Sequence, residues 1–276
     1  MQNKIAVIND LSGYGRCSLT VAIPVLSVMG HQCCPVPTAI LSNHTEFPVY
    51  FFDDYTEKMT AYTDKWKELG LSFDAVATGF LGSEAQIEIV MDMIRKLESE
   101  ETFVVVDPVM GDHGHAYETY TPEMCEQMKE LVCMADIVLP NVTECCILTD
   151  TPYKKENWTR RELLNMAMML RLMGAKSVVI TGVREGSYYT NVVLERGQME
   201  AKFIRTRSSG GERPGTGDVF SSVVAGALLN GKSLPEAVAQ AAGFVKECIK
   251  VSDEEQIPHA NGVCFEKILG KLRERL

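Results

Sequence analysis

The run Gly215-Thr216-Gly217-Asp218, followed directly by Val219-Phe220-Ser221-Ser222-Val223-Val224-Ala225-Gly226, combines residue types suited to one kind of chemistry. Its glycines let backbone N–H groups approach a ligand where a Cβ would obstruct. The apolar run has helical length, so the loop is expected to form a helix N-terminus. Free amides and the positive end of a helix dipole then face one point, which suits negative charge developing on a phosphate. Asp218 falls in the first turn, where a carboxylate can take the proton of an attacking hydroxyl. An anion cradle beside a base is the minimum equipment for phosphoryl transfer to an alcohol. The competing reading of the same residues is an N-capping Asp after a glycine turn.

Further candidates fall at the ends of β-branched runs. Asp107-Pro108-Val109-Met110-Gly111-Asp112 ends the run 103–106. Carboxylates there are costly without a cation, and Mg²⁺ is the natural partner for Asp107 and Asp112; a plain turn is the alternative. Pro140-Asn141-Val142-Thr143-Glu144 follows the next run and adds an amide and a carboxylate, unless Glu144 is an ordinary first-turn helix acid. Thr181 ends the strongest strand and offers a hydroxyl to a phosphate. Asn9, Asp10 and Ser12 bring polar groups to the end of the first strand.

Three other patterns are set aside. Residues 226–233 satisfy the P-loop pattern, but that loop must leave a strand and open a helix. Here its first half lies within a helix, and Gly231 reads as the glycine that ends it. Gly13-x-Gly15-x-x-Ser18 nearly matches the dinucleotide fingerprint, yet 31–38 contains no acid to meet a ribose. His113 and His115 form an HxH with no third ligand in view.

The elements that must position these residues alternate. Strands are expected at 4–9, 31–38, 75–79, 103–107, 137–139 and 177–181. Helices are expected at 18–29, 55–69, 85–97, 121–132 and 160–173. Such alternation implies a parallel sheet covered on both faces, with catalytic groups at the carboxyl ends of its strands. After Thr181 the spacing predicts a hairpin of 188–194 and 200–204, then a polar stretch 205–214. Helices at 215–230, 235–252 and 263–276 complete the chain.

With 276 residues, 46% of them hydrophobic, the chain can bury a large core, and one domain over 1–276 is expected. A net charge of −10 argues against nucleic-acid or anionic-membrane partners. No apolar run reaches spanning length, and the first residues read as a strand, so a cytoplasmic protein is expected. An odd count of 9 cysteines gives neither a disulfide framework nor a CxxC metal site.

Together, the Gly215–Asp218 loop, the Asp107–Asp112 segment, Pro140-Asn141-x-x-Glu144 and Thr181 resemble the ribokinase-like superfamily of small-molecule kinases. Ser42-Asn43-His44-Thr45 resembles the substrate-ring segment of its vitamin B6 (pyridoxal/pyridoxamine) kinase branch. The resemblance covers nearly the whole chain. It implies an α/β fold with a central, mostly parallel sheet, helices on both faces, and a small or absent lid. It also implies ATP-dependent phosphorylation of the 5′-hydroxymethyl group of pyridoxal, pyridoxamine or pyridoxine. Asp218 is then the base, and the amides of Gly215, Thr216 and Gly217 form the anion hole. Asp107, Glu144 and Asp112 attend Mg²⁺, with K⁺ a further candidate cation. Asn141 and Thr181 meet ATP phosphates, while Ala242 and Lys246 border adenine. Asp10, Ser12, His44 and Thr45 lie at the pyridine ring. A homodimer is implied, with the aromatic cluster 47–52 as a candidate interface.

Residues 9–13 look closer to hydroxymethylpyrimidine kinases of thiamine synthesis, which makes that activity the alternative. A non-catalytic B6-binding protein is the reading from a different class. Arg205, Arg207 and Arg213 are either a lid over ATP phosphates or members of a solvated loop.

Overall fold

The computed structural model describes residues 2–97, 99 and 101–273. The chain opens with β1 (Lys4–Tyr14), α1 (Ser18–Val28), β2 (Gln32–Asn43), β3 (Phe52–Asp54) and α2 (Thr56–Glu68). Next come β4 (Ala75–Thr78), α3 (Glu84–Leu97), β5 (Phe103–Val106), β6 (Gly111–Asp112), β7 (His115–Ala116) and α4 (Pro122–Cys133). β8 (Ile137–Val138), α5 (Val142–Leu148), α6 (Arg160–Met173), β9 (Ser177–Glu185) and β10 (Tyr188–Leu194) follow. The last elements are β11 (Lys202–Arg207), α7 (Thr216–Leu229) and α8 (Leu234–Glu254), then 3₁₀ turns at His259–Asn261 and Glu266–Leu272.

A nine-stranded sheet runs β11-β10-β9-β8-β5-β4-β1-β2-β3. From β2 to β9 every neighbouring pair is parallel. β3, β10 and β11 join antiparallel at the two edges. Alternation along β1 sends Ala6 and Ile8 into a core shared with α2 to α6, and Ile5 and Val7 into a core shared with α1, α7 and α8. Both faces are thereby covered, as a parallel sheet requires. From β1 the chain passes to β2 on one side, while β4 lies on the other. The resulting reversal opens a crevice at the carboxyl ends of the strands.

The local signals behave as their chemistry dictates. Capping boxes start α5 (Asn141 with Glu144) and α6 (Thr159 with Glu162), and Pro235 lies in the first turn of α8. Gly231 follows α7 with φ 81°, so the P-loop-like run is a helix ending.

Several elements differ from expectation. β1 and β2 continue to Tyr14 and Asn43, because they pair in register past the glycines (Ser12 with Leu41, Tyr14 with Asn43). The ladder slips between Asn9 and Leu11, a bulge that re-aims side chains at the site. The HxH is a hairpin: His113 and Gly114 have φ 52° and 86°, as a two-residue turn between β6 and β7 needs. β9 turns into β10 through Gly186, and the last strand is 202–207, not 200–204. Arg205 and Arg207 are therefore strand residues. The closing helix expected at 263–276 is a 3₁₀ segment over Glu266–Leu272, and 274–276 lie outside the described residues.

Candidate active site

Asp218 stands in the first turn of α7 because Gly215 makes the turn before it. Gly215 has φ 79°, and a Cβ there would collide with the carbonyl oxygen of Arg16, so the loop packs against the chain entering α1. Gly217 has nothing near where a Cβ would be, and it faces the cleft. The Asp218 carboxylate receives the amide of Asn9 at 3.2 Å and the backbone N–H of Ser18. Ser18 has φ 54° at the start of α1, a strained backbone held where its N–H meets a carboxylate.

Around Asp218 opens a cleft of about 790 Å³, within the range of small-ligand sites. Gly215, Thr216 and Gly217 form part of its wall. Asp107, Asp112, Asn141, Glu144 and Thr181 line it from the strand ends, and Ala242 and Lys246 from α8. The structure thus brings most of the sequence-derived candidates to one cavity.

Glu144 is buried, with Oε2 accepting the Asn141 N–H at 2.7 Å and Oε1 the Met110 N–H at 3.2 Å. It serves as the helix-capping acid and also borders the cleft. The Asn141 side chain is occupied as well: Oδ1 accepts from Glu144 N–H, and Nδ2 donates to the Gly111 carbonyl at 2.9 Å. Thr181 donates its backbone N–H to Pro140 at 2.8 Å, and its hydroxyl lies a long 3.4 Å from the same carbonyl. That hydroxyl is consequently weakly engaged.

Burial, and then the Asp218 carboxylate, push the Asp107 carboxyl well up, against a hydrogen bond from Ser221. Burial and Asp107 likewise raise Glu144. Burial raises Asp218 to about 6, opposed by the Ser18 N–H and the Asn9 amide. Carboxyls that disfavour one another's ionisation in a cleft suit a hard cation with oxygen ligands. Among the described residues no group of three His, Cys, Asp or Glu side chains is arranged to hold a metal by itself. Such a donor set fits Mg²⁺, which commonly takes one or two carboxylates and completes its shell from phosphate and water.

The ring-binding candidates are placed differently from expectation. Ser12 is fully buried and donates its hydroxyl to Asp10 Oδ2 at 2.8 Å, so it presents no surface to a ligand. Asp10 is 6% exposed, and its other oxygen accepts the Ser18 hydroxyl. Burial raises its carboxyl above the ordinary range. Asp10 and Ser12 lie one layer behind the cleft wall, where they buttress Ser18. His44 has both nitrogens engaged, with Ala260 O at 2.7 Å and Glu46 N–H at 3.3 Å, and its ring leans on Phe47. Thr45 is exposed beside it.

Of the three arginines read as either a lid or a solvated loop, two have partners on the protein. Arg205 pairs with Glu185 at 3.2 Å and covers Tyr188, while Arg213 is held by Asp253 at 2.8 Å and by the Ile257 carbonyl. Arg207 and Arg213 both line the cleft, while Arg205 lies outside its wall. Sequence reasoning missed the grip of Asn9 and Ser18 on Asp218. The one available signal was an Asn at the end of the first strand.

Comparison with known proteins agrees with this geometry. The phosphomethylpyrimidine kinase family model matches residues 23–264. Pyridoxine kinase of Bacillus subtilis is 30% identical over 260 residues, covering 91% of this chain and 85% of its own. A Bacteroides thetaiotaomicron protein, assigned as a phosphomethylpyrimidine kinase and crystallised in a form with pyridoxal, superposes with TM-score 0.95. It is 39% identical, with 100% of this chain and 97% of its own covered. Pyridoxal kinase of Lactobacillus plantarum gives TM-score 0.91 at 27% identity, over 99% of this chain and 97% of its own. With the fold, the cleft and these matches in agreement, the chain belongs to the phosphomethylpyrimidine kinase family and, within its ribokinase-like fold, to the vitamin B6 kinase branch.

Proposed function

We propose that the chain is an ATP-dependent kinase, a single domain that phosphorylates the 5′-hydroxymethyl group of pyridoxal, pyridoxamine or pyridoxine. The observation that carries this reading is the Asp218 carboxylate beside the open amide end of α7, in a cleft at the reversal of a parallel sheet. The substrate hydroxyl oxygen forms a bond to the γ-phosphorus as its proton passes to Asp218. The bond from that phosphorus to the bridging oxygen breaks, and ADP leaves with the electron pair. Amides of Gly215, Thr216 and Gly217 face the negative charge on the transferring group, so positioning and electrostatics supply most of the acceleration.

Thr181 and Asn141 border the phosphates, and Ala242 and Lys246 border the base. Asp107 and Glu144, with Asp112 at the rim, would hold Mg²⁺, which when bound neutralises phosphate charge. The pyridine ring is assigned to the side of the cleft near Phe80, Glu46 and Ser18, with the His44 ring in support. The pyridoxal-containing relative and the pyridoxine kinase match favour B6 vitamers over a hydroxymethylpyrimidine. Free cysteines throughout fit a reducing cytoplasm. The exposed segment 49–52, which leads into edge strand β3, supports a homodimer.

The test is ATP consumption by the purified protein with Mg²⁺, with and without K⁺, comparing the three B6 vitamers with hydroxymethylpyrimidine. Turnover on the vitamers is expected. Turnover on the pyrimidine alone would move the enzyme to thiamine synthesis, and none on any of the four would favour a binding protein.

A further inference from the structure

Asn9 ends the regular part of β1, and its side chain is buried. Its Oδ1 accepts two backbone N–H groups, from Phe80 at 2.9 Å and from Asp10 at 3.0 Å. Both are obligate donors, so the orientation of the amide is determined by its surroundings. The Nδ2 group must then face the other way, and there it meets Asp218 Oδ1 at 3.2 Å. The two N–H groups account for the amide's oxygen, and the contact with Asp218 is what its nitrogen adds. A Val or Ile would continue the strand's apolar pattern, and the two N–H groups it would leave unpaired are brought close to Asn9 by the bulge and by the end of β4.

A second residue maintains the arrangement. Gly79 directly follows β4, and its backbone has no positive φ that would call for glycine. A Cβ there would lie 2.6 Å from Asn9 Cγ and 2.8 Å from Oδ1, and closer still to Nδ2. Glycine is required at 79 because the Asn9 amide occupies the space a side chain would take.

We propose that Asn9 is a positioning residue for the Asp218 carboxylate, and that Gly79 is the vacancy that lets it reach. Two anchors on separate elements, the Asn9 amide and the Ser18 N–H, then fix the plane of the carboxylate. One carboxylate edge is thereby held ready for the attacking hydroxyl. Asp107 across the cleft, Asp10 behind Ser18, the Cys17 thiol and the Tyr117 phenol are titratable groups that feel this carboxylate, whereas the Asn9 amide donates at every pH. The inference rests on the assignment of Asp218 as base.

The experiment is a double-mutant cycle on the intact protein, with kcat and both KM values measured for Asn9→Ala, Asp218→Asn and the double variant. Gly79→Ala is measured beside them, and melting curves and ATP affinity report folding. Asn9→Ala is expected to lower kcat roughly 10- to 100-fold, the scale of a slightly misplaced catalytic group, with KM for ATP within about 2-fold. Gly79→Ala should reproduce that loss by displacing the amide. In the Asp218→Asn background, removing Asn9 should lower kcat less than about 3-fold, because a group that acts through Asp218 has nothing left to position. Full multiplicative losses in the double variant, or unchanged kcat in Asn9→Ala and Gly79→Ala, overturn the proposal. Unchanged kcat in Asp218→Asn overturns the base assignment instead. Should Asn9→Ala fail to fold, Gly79→Ala with and without Asp218→Asn gives the same cycle.

Discussion

Asp218 has to be ionised to accept a proton, yet the fold resists its ionisation. With the folded carboxyl at about 6, the acid limb of kcat/KM should be centred near that pH and vanish in Asp218→Asn. A rate profile between pH 5 and 8 checks this. Asp218→Asn or Asp218→Ala should also lose about 10²–10⁴-fold in turnover while ATP binding is kept; isothermal titration with ATP and steady-state rates separate the two.

Stability moves the other way. The folded value lies above the ordinary one of about 4, so the protonated form favours folding. That contribution is fully present below about pH 4 and is lost as pH rises through about 6. At pH 7.5 the ionised Asp218 is therefore a liability, and Asp218→Asn should raise the unfolding free energy of the ligand-free protein. Two units correspond to roughly 3 kcal/mol, reduced to about 1–2 kcal/mol by the carboxylate's open side. A denaturant series at pH 5 and 7.5 reads it: the gain should be larger at the higher pH. A variant no more stable at either pH would contradict the burial argument.

At the scale of elements, α7 places both the base and the amides, and the two glycines at its N-terminus have separate duties. Gly215 is left-handed and a Cβ there would collide with the Arg16 carbonyl, so Gly215→Ala should cost about 2–4 kcal/mol of stability and lower turnover with it. Gly217 is helical with open space around it. Gly217→Ala should stabilise the helix by roughly 0.4–1 kcal/mol, yet reduce turnover by keeping the phosphoryl group from the amides. Melting curves paired with kcat distinguish a folding glycine from a ligand-approach glycine. α5 shows the converse economy, for Glu144 caps the helix by accepting the Asn141 N–H and borders the cleft with the same carboxylate. Its removal would disturb both roles together, and it is a poor choice for dissecting metal binding; Asp107 is the better one.

At the scale of the whole molecule, the sheet reversal gathers strand ends from β1, β4, β5, β8 and β9 around one cleft, and α7 closes it from the opposite face. The loop between β2 and edge strand β3 is left with Val49 at 79% and Phe51 at 63% exposure, an apolar patch of the kind that proteins usually cover. If this patch is the homodimer contact, Phe51→Glu should shift the sedimentation coefficient toward that of a monomer, with the circular dichroism spectrum unchanged. A sedimentation profile identical to that of the parent would place the contact elsewhere.

The local chemistry of the chain could be read without coordinates. Alternation of β-branched runs and amphipathic spans determined the parallel sheet, and the glycines before an apolar helix determined the anion cradle with Asp218 beside it. Those signals are local: backbone freedom, helix polarity and side-chain period act within a few residues. What the tertiary structure alone decided was how polar groups are shared out. Asp10, Ser12 and His44 have the right types and the right neighbourhood for a ring site, but each is engaged by a partner distant in sequence or turned behind the wall. Arg205 and Arg213 are likewise claimed by Glu185 and Asp253. Asn9, noted in the sequence only as a polar group at a strand end, meets Asp218 across 209 residues of chain. A polar side chain's availability depends on which distant donors and acceptors the fold brings to it, and no local pattern encodes that.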